Sequence, residues 1–298
     1  MKIYAICLTK NEDDVIAQSL IFATRYCDKI FVIDNGSTDD TWDVVTKLAK
    51  QYPKIIPFSQ TFERFENGLR WSAYEAHHQE LSDDDWWMIL DSDEFLAEDP
   101  RPVIENAMTA GASIISAWQI QFYYTEKDYE EWVAGRDDRD RPIYERRRYY
   151  CIDHQEPRLF RNQSSGSWET AALSRTLGMP PWLRKQESDG SWRTCLPTRA
   201  GKIARRRIFN RHYQYRDPTQ IEKRLKLRYG HPAFSAQVES VDWRSKMRRS
   251  KELRYYRDYA NYRFSLSGLV PFYWGWFRYV LTNRFLRARQ RLATLLGA

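Results

Sequence analysis

Apolar residues along this chain fall in short continuous runs separated by stretches with helical spacing. Residues 3–9 (IYAICLT) predict a buried strand, and residues 12–26 follow with Val15, Ile16, Leu20 and Ile21 on one face of a helix. The unit recurs as KIFVID at 29–34, a Gly-Ser-Thr-Asp turn, and a helix over 39–51 for which Ser37 or Thr38 offers a cap. A strand at 55–59, a helix over 68–81 and a strand at 86–90 (WWMIL) extend the series. Strands alternating with helices at this pitch predict an α/β fold with a mostly parallel central sheet flanked by helices. Farther on, 113–125 reads as β-rich and 126–148 as charged loop or irregular chain. Residues 218–229 read as a helix with Pro218 in its first turn and Asp217 as its cap.

In such sheets ligands sit beyond the carboxyl ends of the strands. The polar residues that follow each strand therefore carry the candidate chemistry: Thr9 to Glu12, Asp34 to Asp39, and Asp91-Ser92-Asp93. If the backbone stays extended through Asp91 and Asp93, both carboxylates project to one side. A hard cation, Mn²⁺ or Mg²⁺, accepts few protein carboxylates and completes its shell with phosphate oxygens and water, as a nucleoside diphosphate would provide. Taken alone, Asp-Ser-Asp-Glu reads equally as a helix cap on a solvated turn.

Composition supports a packed protein: 42% of the 298 residues are hydrophobic and 15% aromatic, which excludes a disordered chain. Charge is divided unevenly. Residues 1–198 hold 23 basic and 34 acidic side chains, a balance of −11, and residues 199–298 hold 24 and 6, a balance of +18. The basic part points to an anionic partner, such as an anionic membrane, a phosphorylated acceptor or nucleic acid. Cys7, Cys27, Cys151 and Cys195 show no metal-type spacing, which disfavours a zinc knuckle and a dense disulfide framework and fits a reducing cytoplasm. The N-terminus reaches charged residues too soon for a signal peptide. The aromatic run near the end, within 266–296, contains Pro271 and Arg278 and is too short to span a bilayer, so it is expected to lie at a membrane interface, in the core or at a dimer surface. Neither G-x-G-x-x-G nor a P-loop pattern occurs around Gly36.

The ordered set of the Asn11-Glu12 pair, NGSTDDT after the second strand and WWMILDSDEF after the fourth resembles the family 2 glycosyltransferases of the GT-A fold, closely over roughly the first 100 residues. The resemblance implies a GT-A, Rossmann-like sheet carrying a basic, aromatic-rich helical C-terminal extension. It divides the chain into a nucleotide-sugar half (1–125), an acceptor-side half of the same domain (126–215) and the extension (216–298). It implies that Thr9, Glu12 and Asp39 hold the base and ribose, with Asp34 at the corresponding strand end and Arg70 near the nucleotide. Asp91 and Asp93 match the metal and diphosphate ligands, with Asp93 the direct metal ligand, and His212 looks like a histidine that approaches the metal or diphosphate, His154 being a weaker candidate. Arg211, Arg216, Lys223 and Arg224 are further candidates to face the diphosphate. Asp153, Glu156 and Glu169 are candidates for the base that activates the acceptor. Glu169 is favoured because its position resembles the family's acceptor-side acid.

The implied activity is metal-dependent, inverting transfer from a nucleoside-diphosphate sugar, a UDP-sugar first, to a saccharide or lipid-linked acceptor in surface glycan synthesis at the inner face of the cell membrane. Two competing readings stand beside it. One is a nucleotidyltransferase acting on a sugar phosphate, disfavoured by the missing glycine- and lysine-bearing loop. The other is a non-catalytic basic module binding nucleic acid or membrane, of which nucleic acid is the weaker partner.

Overall fold

The computed structural model describes residues 1–63, 67–164, 201–229 and 240–256, together with two short strands at 184–186 and 192–194. Its strands are β1 (Ile3–Thr9), β2 (Lys29–Asp34), β3 (Ile55–Gln60), β4 (Trp86–Asp91), β5 (Glu94–Leu96), β6 (Ile114–Phe122), β7 (Tyr149–Arg161), β8 (Arg184–Gln186), β9 (Trp192–Thr194), β10 (Ile208–His212) and β11 (Arg254–Tyr255). Its helices are α1 (Ile16–Ala23), α2 (Thr41–Gln51), α3 (Trp71–His77), α4 (Arg101–Thr109), α5 (Glu126–Val133), α6 (Ile143–Arg146) and α7 (Pro218–Arg228).

Among the described residues the main sheet has nine strands in the order β3-β2-β1-β4-β7-β6-β10-β5, with β11 added to β7. The first four run parallel, as expected. The other half is mixed: β7 is antiparallel to β4 and β6, β10 is parallel to β6, and β5 is antiparallel to β10. The α/β class is therefore as expected, but its uninterrupted parallel run stops at β4. β8 and β9 form a separate antiparallel pair.

Every residue of β1 is buried, because this central strand is covered on both faces. Ile3, Ala5 and Cys7 join the layer formed with Ile16 and Leu20 of α1, Val45 of α2 and Val103 of α4. Tyr4, Ile6 and Leu8 point the other way, to Ala73 and Tyr74 of α3 and to Trp87 and Ile89 of β4. The alternation of period two thus assigns each β1 side chain to one of two cores.

Several local expectations change. The stretch 126–148 holds α5 and α6 rather than irregular chain. Helix α5 starts from a capping box, in which the Thr125 N–H donates to Asp128 Oδ2 at 2.8 Å while the Thr125 hydroxyl accepts from the Asp128 N–H. The first helix begins at Ile16, four residues later than expected, because the chain first turns through Glu12, whose carbonyl accepts from the Val15 and Ile16 amides. Neither Ser37 nor Thr38 caps α2, since Ser37 is engaged by Asp34 and Asn11 and Thr38 by Asn11. The helix expected over 68–81 is broken into a 3₁₀ turn, α3 and a second 3₁₀ turn. Asp217 caps α7 as expected, accepting from the Gln220 N–H at 2.9 Å.

Among the described residues no helix is long and apolar enough to cross a membrane. The aromatic run within 266–296, Cys195 and Glu169 all lie outside the described residues. Cys7 and Cys27 are buried free thiols.

Candidate functional site

Strand register brings the candidate residues to one edge. Thr9 pairs with Asp34 across β1 and β2, and Leu8 pairs with Asp91 across β1 and β4, so three carboxyl ends finish side by side. Two loops above that edge are latched together. Asn11 Oδ1 accepts from the Thr38 N–H at 2.7 Å, and the Asn11 N–H donates to Ser37 Oγ at 2.9 Å. Asn11 adopts φ 55°, a left-handed conformation that asparagine tolerates better than most residues, and Gly36 takes φ 67° in the opposing turn. Asp34 is fully buried and accepts from the Ser37 N–H and from Gln60 Nε2, each at 3.1 Å. Asp39 accepts from the Thr41 N–H at 3.0 Å, while Thr41 Oγ1 accepts from the Glu12 N–H at 2.8 Å. Thr9 Oγ1 is buried with no hydrogen-bond partner among the described residues.

The acidic motif does not stay extended. Strand β4 ends at Asp91, Ser92 and Asp93 turn, and the chain leaves as β5, so the two carboxylates meet different partners. Asp91 is gripped by Arg70 and by Arg158, whose Nη2 lies 3.1 Å from Oδ2. Asp93 faces Arg224 Nη1 at 3.1 Å and Arg216 Nη1 at 3.7 Å through Oδ2, and His212 Nε2 at 3.4 Å through Oδ1. Burial works to raise the pKa of Asp93, but the charges of His212 and Arg224 outweigh it and hold the carboxyl well below its usual range. His212 responds in the opposite sense: burial disfavours its charged form, yet the Asp93 carboxylate raises its pKa.

Acids continue on either side. Glu94 is buried and is held by Arg158 at 2.5 Å and by Gln119 Nε2 at 3.1 Å; burial pushes its pKa up to about 7. Glu156 lies 2.7 Å from the same guanidinium and 3.3 Å from His154. Burial raises Glu156, but the Arg158 charge dominates and keeps it below the usual carboxylate range. Glu12 contacts Arg216 and lies 2.9 Å from Arg224; burial pushes it up to about 7 against the pull of both. Asp14 takes two bonds from Arg216, at 2.6 and 2.9 Å.

Arg158 was not among the sequence-derived candidates. Its signal is the spacing His154-x-Glu156-x-Arg158 on a strand, which sets three polar side chains on one face of β7. Of the four basic candidates, Arg216 and Arg224 reach the acidic motif. Arg211 instead donates to the Leu96 carbonyl and stacks over Phe22 and Phe95, and Lys223 is exposed.

A divalent cation can be tested against this geometry. Asp93 Oδ1 and His212 Nε2 stand 3.4 Å apart, and two donors each about 2.1 Å from one ion have that separation when they subtend an angle between octahedral and tetrahedral values. His212 Nδ1 lies 2.9 Å from Gln121 Nε2, and Gln121 Oε1 is buried without a partner among the described residues. Turning that amide over lets Oε1 accept from Nδ1–H, the tautomer that leaves Nε2 for a metal. The pair fits one cation. Among the described residues no three His, Cys, Asp or Glu side chains converge to enclose a metal without other donors.

The family model described as Glycosyl transferase family 2 matches residues 5–166, more than half of the chain. An uncharacterized glycosyltransferase of Rickettsia prowazekii (strain Madrid E) is 28% identical over 109 residues, 37% of this chain and 34% of that protein. Its counterpart in Rickettsia conorii (strain ATCC VR-613 / Malish 7) is 29% identical over 104 residues, 35% of this chain and 33% of that one. The chain thus spans about a third of the length of these curated relatives. Among solved structures, the mannosyltransferase PcManGT from Pyrobaculum calidifontis in complex with GDP-Man and Mn²⁺ has a TM-score of 0.32 at 16% identity, covering 54% of this chain and 44% of that one. S. aureus TarS 1-349 has a TM-score of 0.33 at 11% identity, covering 77% and 66%.

Proposed function

The chain belongs to glycosyl transferase family 2, and on that premise we propose that it transfers a sugar, with inversion, from a nucleoside-diphosphate sugar to a saccharide or lipid-linked acceptor. A UDP-sugar is the first donor to test, and surface glycan assembly at the cytoplasmic face of the membrane is the setting. The observation that supports this reading is the meeting of Thr9, Asp34 and Asp91 at one sheet edge, with Glu12, Asp39 and Asp93 on the loops directly above. That edge is where ligands of open α/β sheets bind.

On this reading Thr9, Glu12, Asp34 and Asp39 line the base and ribose. The Thr9 hydroxyl, buried without a hydrogen-bond partner among the described residues, is a group that a bound nucleotide would satisfy. Arg70 and Arg158 fix Asp91, and Arg216 and Arg224 flank Asp93, so cationic groups stand ready where negative charge builds on the departing diphosphate. Asp93 and His212 would hold Mn²⁺ or Mg²⁺, which when bound supplies Lewis-acid neutralisation of that leaving group. Glu169 keeps the role of base, taking the acceptor hydroxyl proton at about 3 Å as the oxygen attacks. The basic surplus after Arg199 supports an anionic membrane as the surface on which the acceptor is met.

Titrating the full chain with UDP, GDP and TDP, each with and without Mn²⁺, tests the proposal. Binding of one of them, strengthened by Mn²⁺, is expected. Failure to bind any of the three under either condition overturns it.

A further inference from the structure

The two carboxylates of the acidic motif are already neutralised, each by two guanidiniums. On the Asp93 side the two arginines are held very differently. Arg216 is fully buried and tied by Glu12, by both oxygens of Asp14 and by the Tyr213 carbonyl at 3.0 Å, which makes it a fixed post. Arg224 has a looser setting. Its Nη1 bridges Glu12 Oε1 at 2.9 Å and Asp93 Oδ2 at 3.1 Å, and its Nε is buried with no partner among the described residues. Both of its bonds are therefore to carboxylates that other cations can satisfy. The backbone beneath it is firm, because α7 is capped by Asp217 and buries Ile221 and Leu225. Movement is confined to the long side chain.

We infer that Arg224 is a counter-ion gate on the cation site: while it bridges Glu12 and Asp93, a free divalent ion is held weakly, and cation and nucleoside diphosphate enter together. The inference rests on the proposed function, since it concerns the same site. Its physical basis is charge balance. A divalent ion offered alone to Asp93 and His212 meets one carboxylate whose other oxygen already faces two guanidiniums, and each nearby unit charge acts on it twice over. A diphosphate brings the missing negative charge and offers Arg224 a replacement acceptor, so nucleotide and cation must favour one another reciprocally. Release of Arg224 also opens Glu12 Oε1 while Oε2 stays on Arg216, which links the ribose side of the site to the diphosphate side through one side chain.

Mn²⁺ binding, read by electron paramagnetic resonance of the free ion, tests this on the full chain with Mn²⁺ alone and with added UDP or GDP. Wild type binds Mn²⁺ weakly alone and more tightly with nucleotide. Arg224→Gln binds Mn²⁺ alone at least about tenfold more tightly and shows a smaller nucleotide enhancement. Arg224→Lys keeps the charge and stays close to wild type. Glu12→Gln leaves Arg224 to Asp93 alone and weakens free Mn²⁺ binding, the opposite sign, which loss of packing in a damaged α7 does not mimic. Thermal melts identify any variant that fails to fold, and Glu12→Gln then carries the test. Free-Mn²⁺ affinity in Arg224→Gln within about twofold of wild type overturns the inference. So does tighter free-Mn²⁺ binding in Glu12→Gln. A wild type that binds neither Mn²⁺ nor nucleotide overturns the proposed function as well, whereas unchanged affinities in a wild type that binds both overturn the gate alone.

Discussion

Arg158 Nη2 lies 3.1 Å from Asp91 Oδ2, joining strand β7 to the last residue of β4 across 67 positions of sequence. The same nitrogen contacts Glu94 and Glu156, so one buried guanidinium serves three carboxylates. Arg158→Leu leaves the buried Glu94 without its cation, with Gln119 as its remaining side-chain partner among the described residues, and breaking a buried ion pair from one side costs about 3–5 kcal/mol. A fall in stability of that size is expected in denaturant titrations, and Arg158→Lys recovers only part of it because an ammonium is more strongly hydrated than a guanidinium and costs more to bury. A melt unchanged by Arg158→Leu would show that the three carboxylates do not depend on it.

Asp93→Asn preserves size but removes the charge shared by His212, Arg216 and Arg224. Three cationic groups then face one another without their common anion. Nucleotide binding in the presence of Mn²⁺ is expected to weaken about tenfold or more, while binding without Mn²⁺ changes less because the arginines remain. Equal losses under both conditions, measured by calorimetry, would count against a cation at Asp93.

Gly36→Ala tests the turn that aligns the latched loops. An added Cβ meets Phe62 Cδ1 at 2.8 Å, but that ring is 85% exposed and can swing away. The backbone cost decides the outcome: φ of 67° disfavours any residue with a Cβ by about 1–2 kcal/mol. A destabilisation of that order, with weaker nucleotide binding through the Ser37–Asn11 contact, is expected in chemical denaturation and nucleotide titration.

Asp137 pairs with Arg146 and Arg147, at 2.8 Å to Arg146 Nε, with its side chain 3% exposed. Burial acts to raise its pKa, but hydrogen bonds and charge from the two arginines prevail and lower it. A lowered folded pKa means this contribution is fully present above the usual aspartate value of about 3.9 and is lost as pH falls through the lower folded value. Asp137→Asn should therefore destabilise the protein by about 3–5 kcal/mol at neutral pH, with the gap from wild type closing only in strong acid. Melting curves from pH 7 downward check both the size and the sign.

The parallel half of the fold was legible from residues 3–90 because a strand buried on both faces must be apolar throughout and a covering helix must repeat its apolar positions at 3.6. The same logic still finds β6 within 113–125 and α7 within 218–229, but not the elements between them. β7 carries polar residues at 154, 156 and 158 because that part of the strand faces the site, so it has no clean hydrophobic period. α5 was hidden by its charge, although Thr125-x-x-Asp128 is a capping signal that local chemistry supplies. The helix expected to begin at Glu12 starts later because Glu12 and Asp14 are drawn to Arg216, some 200 residues away in sequence.

What the sequence determined by itself was the order of strand and helix units and the polar residues at the ends of β1, β2 and β4, since both follow from local periodicity and from where an apolar run stops. Tertiary structure alone decided which charges those residues meet. Arg70, Arg158 and the pair Arg216 and Arg224 come from three separate segments, and only the packing of the 67–70 turn, of β7 between β4 and β6 and of α7 beside the acidic turn brings them to Asp91 and Asp93. Charge pairing acts over a few ångströms of space and leaves no period along the chain, so the balance that governs the site could be read only after the chain had folded.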